Sequence, residues 1–337
     1  MARLPLSFKF AQKTRCATVM DMMIDMIISH NKALEHWRSH GNVKIEASAR
    51  QRRKKLPDRF PSITEIRART PDGLSYPIDL IVSNENAKWK SKIFKPHVYT
   101  GSVPEWSFIR LGYGLYVSSP SFCFFQMAGE LPLVKLIELG LELCGTYSLP
   151  VNGGKTLYGH LRLTNVNSLK ATTIQMKGIK GQRKACRALR FIADGSASPM
   201  ETKLFMLLAL QYKLGGHGLP MPKLNKRVDP RKATKQMINK KYFVCDLFWP
   251  ESNLAVEYDS NENHTGADRI NDDSKKRIAL ESAGTKVITV TKEQIQNADE
   301  FDIVAKEIAK RLGKQLRIND PKFKKAQREL RRQLGLE

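Results

Sequence analysis

Residues 242–259, YFVCDLFWPESNLAVEYD, decide how the second half of the chain folds. Two runs of apolar, β-branched and aromatic residues, 242–248 and 254–259, flank Pro250, Glu251, Ser252 and Asn253. Proline fixes φ, and Ser and Asn side chains bond nearby backbone, so these four residues read as a turn and the two runs as the arms of a β-hairpin. A four-residue loop sets Trp249 against Leu254 and Asp246 directly against Glu257, with Cβ atoms roughly 4.5–5.5 Å apart. Because strand side chains alternate, Glu257 and Asp259 share one face while Leu254, Val256 and Tyr258 share the other. A slip of one residue would scatter this cluster.

Carboxylates crowded on one sheet face repel, and burying them without a counter-charge is costly or raises their pKa values. A hard divalent cation answers that repulsion. An oxygen-only donor set without cysteine or paired histidines suits Mg²⁺, with Mn²⁺ as a substitute, and argues against structural zinc. The competing reading makes Asp246 and Glu257 solvated polar positions on a half-exposed hairpin.

Upstream, Ser198-Pro199-Met200-Glu201 has the form of a capping box with proline at the first helical position. It opens a helix predicted to run to about Lys213. Glu201 is thus explained by the cap, and the sharper expectation is that it also reaches the hairpin carboxylates. Gly215, Gly216 and Gly218 then lead into PMPKLNKRVDPRKATKQMINKK, read as a basic loop carrying Lys223, Lys226, Arg227, Arg231, Lys232 and Lys235. That loop enters the hairpin directly, so the carboxylates lie beside a dense positive segment. Downstream come His264, able to act as a general acid or base near neutral pH, a helix predicted from about Asp268 to Ala283, a strand from Thr285 to Thr291, and a helix from about Asp299 to Leu312. The tail, KFKKAQRELRRQLGLE, is basic and fits a helix.

The 337 residues, 41% of them hydrophobic, suffice for two packed domains. Lys and Arg number 57 against 33 Asp and Glu, a net charge of +24 that points to a polyanionic partner. DNA leads, RNA follows, and a membrane is not expected. No run of about 18 apolar residues occurs and the opening MARLPLSFKF lacks a secretory h-region, so a cytoplasmic protein is expected. Five scattered cysteines without a C-x-x-C pair read as reduced thiols. In the first half, Val19, Met23, Met26, Ile27 and Leu34 predict a helix over residues 17–38, followed by a basic cluster with Arg52 and Arg53 suited to phosphate contact. The stretch 63–117 reads as mixed α/β, Ser121–Leu143 as a buried helix, 157–176 as extended, and the segment around Lys180 to Arg190 as a basic helix. A boundary at DGSAS, 194–198, separates a mixed α/β region 1–195 from a second domain 196–313 and a tail 314–337.

SPMET with Glu201, FVCDLFWP with Asp246, AVEYD with Glu257 and Asp259, His264, DSKKRIALESAG with Asp273, Lys276, Leu280 and Gly284, and VITVT follow in order from Ser198 to Thr291. This series resembles the Vsr-like (very short patch repair-like) endonuclease domain of the PD-(D/E)xK nuclease superfamily. The resemblance implies a restriction-endonuclease-like α/β core of helix, β-hairpin, helix, strand and helix. It also implies Mg²⁺-dependent hydrolysis of DNA phosphodiesters: Asp246 holds the metal, Glu201 and Glu257 assist through waters or protein contacts, and His264 handles a proton. Lys276 and Arg277 join the basic residues expected on the backbone of DNA. Two departures stand out. Asp259 occupies the place of the superfamily's usual lysine, as in Vsr-like members, and Cys245 replaces the usual proline. Residues 1–195 lie outside the resemblance and by association suggest a DNA-binding or regulatory part. The rival readings are a DNA-binding, antitoxin-like regulator that keeps the fold without activity, and a nuclease directed at RNA. A homo-oligomer or another protein partner stays open.

Overall fold

Met26, Ile27 and Ile28 are fully buried and form a strand, β1 (Met26–Ile28), where helical periodicity predicted a continuous helix. A run of three apolar residues fits both periods, and burial on both sides favours the strand here. The computed structural model describes residues 23–41, 49–51, 55–84, 91–229, 242–259 and 267–337. Arg52, Arg53, Arg231, Lys232, Lys235 and His264 lie outside the described residues.

The chain is a mixed α/β protein, with three sheets among the described residues. After β1 come α1 (His30–Ser39), β2 (Arg50–Gln51), α2 (Ile63–Arg69), β3 (Ile78–Val82), β4 (Phe94–Val98), β5 (Phe108–Gly112) and β6 (Leu115–Ser118). These six strands form one sheet in the order β2-β5-β6-β1-β3-β4, with β1 parallel to β6 and β3 parallel to β4. The expected single helix over Ser121–Leu143 is two, α3 (Pro120–Met127) and α4 (Leu133–Leu143), broken around Gly129 and Pro132. A two-stranded sheet of β7 (Tyr147–Ser148) and β8 (Leu157–Tyr158) follows. The segment expected to be extended holds α5 (Val166–Gln175), started by Asn165, whose side chain accepts from the Ser168 N–H at 2.9 Å. The basic helix, α6 (Gln182–Ala188), is short.

The second half begins at α7 (Pro199–Ala209), capped by Ser198 as the sequence predicts. The expected basic loop contains a strand, β9 (Lys223–Val228), which leads to β10 (Phe243–Trp249) and β11 (Leu254–Asp259). Next come α8 (Ala267–Ser282), β12 (Lys286–Thr291), α9 (Lys292–Gln296), α10 (Ala298–Arg311) and α11 (Pro321–Gln333). β9, β10 and β11 are an antiparallel meander, and β12 lies parallel to β11 in the order β12-β11-β10-β9. A parallel pair needs a crossover, which α8 supplies.

This sheet is covered on both faces. Leu247, Trp249, Leu254, Val256 and Val290 join the large core with α7, whereas Phe243, Cys245, Phe248 and Ala255 pack with Ala279 and Leu280 of α8. The large core runs on into the first half, where α7 packs against α4 and the Tyr147 and Thr202 hydroxyls share a 2.8 Å hydrogen bond. No helix among the described residues is long and apolar enough to cross a membrane.

Candidate active site

The hairpin has the predicted turn and register. Pro250–Ser252 form one 3-10 turn, Asn253 closes it in the left-handed region (φ 44°), and the strands pair Leu247↔Val256, Phe248↔Ala255 and Trp249↔Leu254. The paired register ends at Leu247↔Val256, one position short of the expected Asp246–Glu257 pair.

Asp246 also marks an irregularity. The ladder to β9 runs from Phe243↔Val228 to Cys245↔Lys226 and resumes at Leu247↔Leu224, on either side of Asn225, whose φ is +45°. Cys245 and Phe248, three positions apart, both pack on the α8 side, which a strand of strict period two forbids. The break in alternation therefore falls beside Asp246, and its carboxylate Oδ2 accepts the backbone N–H of Tyr258 at 2.8 Å.

Glu257 projects toward α8. Its Oε2 accepts from Lys276 Nζ at 2.7 Å, with only 14% of the Glu257 side chain exposed. Its other oxygen, Oε1, is buried and has no hydrogen-bond partner among the described residues. Burial first, and then the negative charge of Asp246, raise the Glu257 carboxyl to about 7. Asp246 is raised too, by burial, against the opposing pull of the Tyr258 N–H and of Lys276. Burial pulls the Lys276 ammonium down, but Glu257 outweighs it and the net shift is upward.

Glu201 reaches the group from α7. Ser198 Oγ accepts the Glu201 N–H at 3.1 Å, so the cap is real. The carboxylate itself folds back, its Oε2 accepting from the Ala197 N–H at 3.0 Å and from Asn225 Nδ2 at 2.5 Å. Burial raises its pKa, and the next contribution is repulsion from Asp246. The Asp246 charge thus raises both glutamates.

The structure brings together Asp246, Glu257 and Lys276, with Glu201 alongside, held by Asn225. It does not close the three carboxylates into a set with ligand atoms all within 4.8 Å of one another; among the described residues only His30, His97 and Glu130 do so. Asp259 ends β11 opposite Thr291, half-buried, on the Glu257 face by alternation. Lys223, Lys226 and Arg227 are exposed on β9, the edge strand. The Arg227 guanidinium lies 4.0 Å from the Tyr242 ring centroid and 3.2 Å from Asp229 Oδ1. Arg277 is exposed and bonds Glu281 at 3.0 Å. The sequence placed Lys276 among the residues expected on the DNA backbone and gave no signal for Asn225; Lys276 Nζ pairs with the Glu257 carboxylate.

No protein-family model, curated protein or solved structure matches this chain.

The donors are of the kind a hard divalent cation takes, although the three carboxylates do not converge within 4.8 Å of one another. All are oxygens, burial holds the Asp246 and Glu257 carboxyls above their ordinary range, and Glu257 Oε1 is a buried acceptor without a hydrogen bond among the described residues. One lysine does not neutralise three carboxylates, of which Glu201 is buried and Asp246 and Glu257 are half-buried.

Proposed function

We propose that the second half of the chain is a Mg²⁺-dependent endonuclease acting on DNA phosphodiesters, with a restriction-endonuclease-like core of the Vsr-like type. The order α7, β9–β10–β11 meander, α8 and parallel β12 supports that core, and the carrying observation is the half-buried Asp246–Glu257–Lys276 cluster with a Glu257 oxygen that makes no hydrogen bond among the described residues.

Asp246, fixed by the Tyr258 N–H, and Glu257 Oε1 are the groups that would hold the cation, with Glu201 assisting from α7. When bound, Mg²⁺ would supply Lewis-acid stabilisation of charge developing on the scissile phosphate. Lys276, kept ammonium by Glu257, provides a donor able to reach a phosphate oxygen from the α8 side. With no cation bound the Glu257 carboxyl is raised to about 7, so cation uptake near neutral pH would displace a proton from it. His264 stays the candidate for delivering a proton to the leaving oxygen. The basic β9 edge, with Lys223, Lys226 and Arg227, offers phosphate contacts beside the cluster, and such contacts make binding fall with salt.

The test incubates full-length protein with supercoiled plasmid and with single-stranded RNA, with Mg²⁺, with Mn²⁺ and with EDTA, alongside Asp246→Asn. Metal-dependent plasmid cleavage lost in Asp246→Asn, with DNA affinity retained, is the expected result. Salt-sensitive binding without cleavage under either metal would replace this reading with a DNA-binding regulator. Cleavage confined to RNA would reassign the substrate.

A further inference from the structure

We propose that His30, His97 and Glu130 form a second metal site, of the zinc class, that ties the start of α1, strand β4 and the α3–α4 loop together. One ligand atom from each residue lies within 4.8 Å of the other two. Two imidazoles and one carboxylate suit Zn²⁺ and related transition ions, unlike the all-oxygen cluster of the second half.

The hydrogen bonds around the two rings fix where their lone pairs point. The Ser29 hydroxyl donates to the Asp79 carbonyl oxygen at 3.4 Å and so accepts from His30 Nδ1 at 3.0 Å, which leaves the lone pair on His30 Nε2. His97 Nε2 donates to Asp79 Oδ1 at 2.7 Å, which leaves the lone pair on His97 Nδ1. That nitrogen faces Glu130 Oε1 at 4.0 Å. Two acceptors turned toward each other repel unless a cation stands between them. Asp79, only 3% exposed, also accepts the Lys32 N–H at 3.2 Å, so it serves as the outer carboxylate that orients a metal-binding histidine.

A resident cation already approaches from the rim. Lys95 Nζ lies 3.6 Å from Glu130 Oε1 and 3.8 Å from Asp79 Oδ1, and its side chain is half exposed. It can swing into water and yield its place to a metal. His30 is held by an unusual backbone, with φ +47°, its N–H donating to Gln126 Oε1 at 3.2 Å and its carbonyl accepting from Cys123 Sγ at 3.4 Å. A non-glycine residue keeps such a conformation only where its surroundings enforce it. The rings are stacked, with centroids 3.5 Å apart and planes at 14°, so metal uptake splays them apart.

The experiment titrates full-length protein with Co²⁺, read by visible absorption, and with Zn²⁺ in competition. With excess Mg²⁺ present to occupy the carboxylate cluster, one equivalent is expected to bind in wild type, in Asp246→Asn, which separates it from that cluster, and in His40→Gln, a histidine at the far end of α1. His97→Gln and His30→Gln should weaken binding by about 100-fold or more. Because those half-buried positions can affect the fold, the rim variant Lys95→Ala provides a second arm and should tighten binding several-fold. Zn²⁺ should raise the unfolding temperature of wild type, as any ligand of the native state does. Absence of binding in wild type, equal binding in His97→Gln, loss of binding in Asp246→Asn, or weaker binding in Lys95→Ala would each overturn the site.

Discussion

Two buried carboxylate groups in the second half of the chain have met the same problem in opposite ways. Asp302 on α10 is 3% exposed and fully partnered: Oδ1 accepts from His217 Nε2 at 2.8 Å and Gln327 Nε2 at 2.7 Å, and Oδ2 accepts from Lys324 Nζ at 2.6 Å. Burial pushes its carboxyl up, yet those hydrogen bonds win and hold it at about 2. In the hairpin cluster burial wins instead, and Asp246, Glu257 and Glu201 are all raised. A carboxylate whose charge is satisfied within the protein is a strut that fastens α11 to the body. One whose partners do not offset its burial keeps a raised carboxyl, and strong perturbation of this kind marks candidate functional sites.

The largest expected effect lies in the cluster. Asp246→Asn removes the charge that both neighbouring glutamates feel and is expected to cut Mg²⁺-dependent cleavage by on the order of 10³-fold. Its urea midpoint should stay level or rise, since one buried negative charge is gone. A variant that loses activity only because it loses stability would break the contrast. The strut should behave in reverse: Asp302→Ala leaves His217 and Lys324 facing an empty acceptor position and is expected to cost about 3–5 kcal/mol of unfolding free energy, measured by urea denaturation.

The same contrast predicts two arms in the dependence of stability on pH. For Asp302 the folded value lies below the unfolded one, so its contribution is complete above about pH 4 and is lost as pH falls toward 2. For Glu257 the folded value is raised to about 7, so the folded state keeps a proton that the unfolded chain has released. Stability therefore falls as pH rises from the ordinary carboxylate range to about 7, by on the order of 2–3 kcal/mol. Urea midpoints between pH 2 and 8 check both arms. Asp302→Asn should flatten the acid arm and Glu257→Gln the neutral one, and Mg²⁺ should flatten the neutral arm in wild type alone. A neutral arm that persists in Glu257→Gln would detach it from this residue.

The hairpin was readable in the sequence because its signals are local: apolar alternation, a Pro-to-Asn turn and a four-residue loop that fixes register. The cap at Ser198 was readable for the same reason. β9 was hidden, since Lys223, Asn225, Lys226 and Arg227 carry no strand pattern of their own, and its order comes from the backbone of β10. The helix expected through Met26–Ile28 and the extended reading of 166–175 failed because short segments take their conformation from what packs on them. The partnerships that distinguish strut from site were unreadable. His217 and Asp302 are 85 residues apart, and Lys276 and Glu257 meet only because α8 crosses back over the sheet.

Asn225 offers the smallest and sharpest test, because it joins the hidden strand to the one carboxylate with two explanations. Its left-handed φ of +45° suits asparagine or glycine, so Asn225→Gly keeps the backbone and removes only the amide that donates to Glu201 and to the Gly195 carbonyl. Losing those bonds should cost about 1 kcal/mol in urea denaturation. Glu201 would keep the Ala197 N–H, and its raised carboxyl should climb further without the amide that opposes the shift. If Glu201 belongs to the cluster, the cleavage rate falls several-fold while DNA affinity holds. If Glu201 is only the closing residue of a helix cap, the stability loss appears with no change in rate, and the site contracts to Asp246, Glu257 and Lys276.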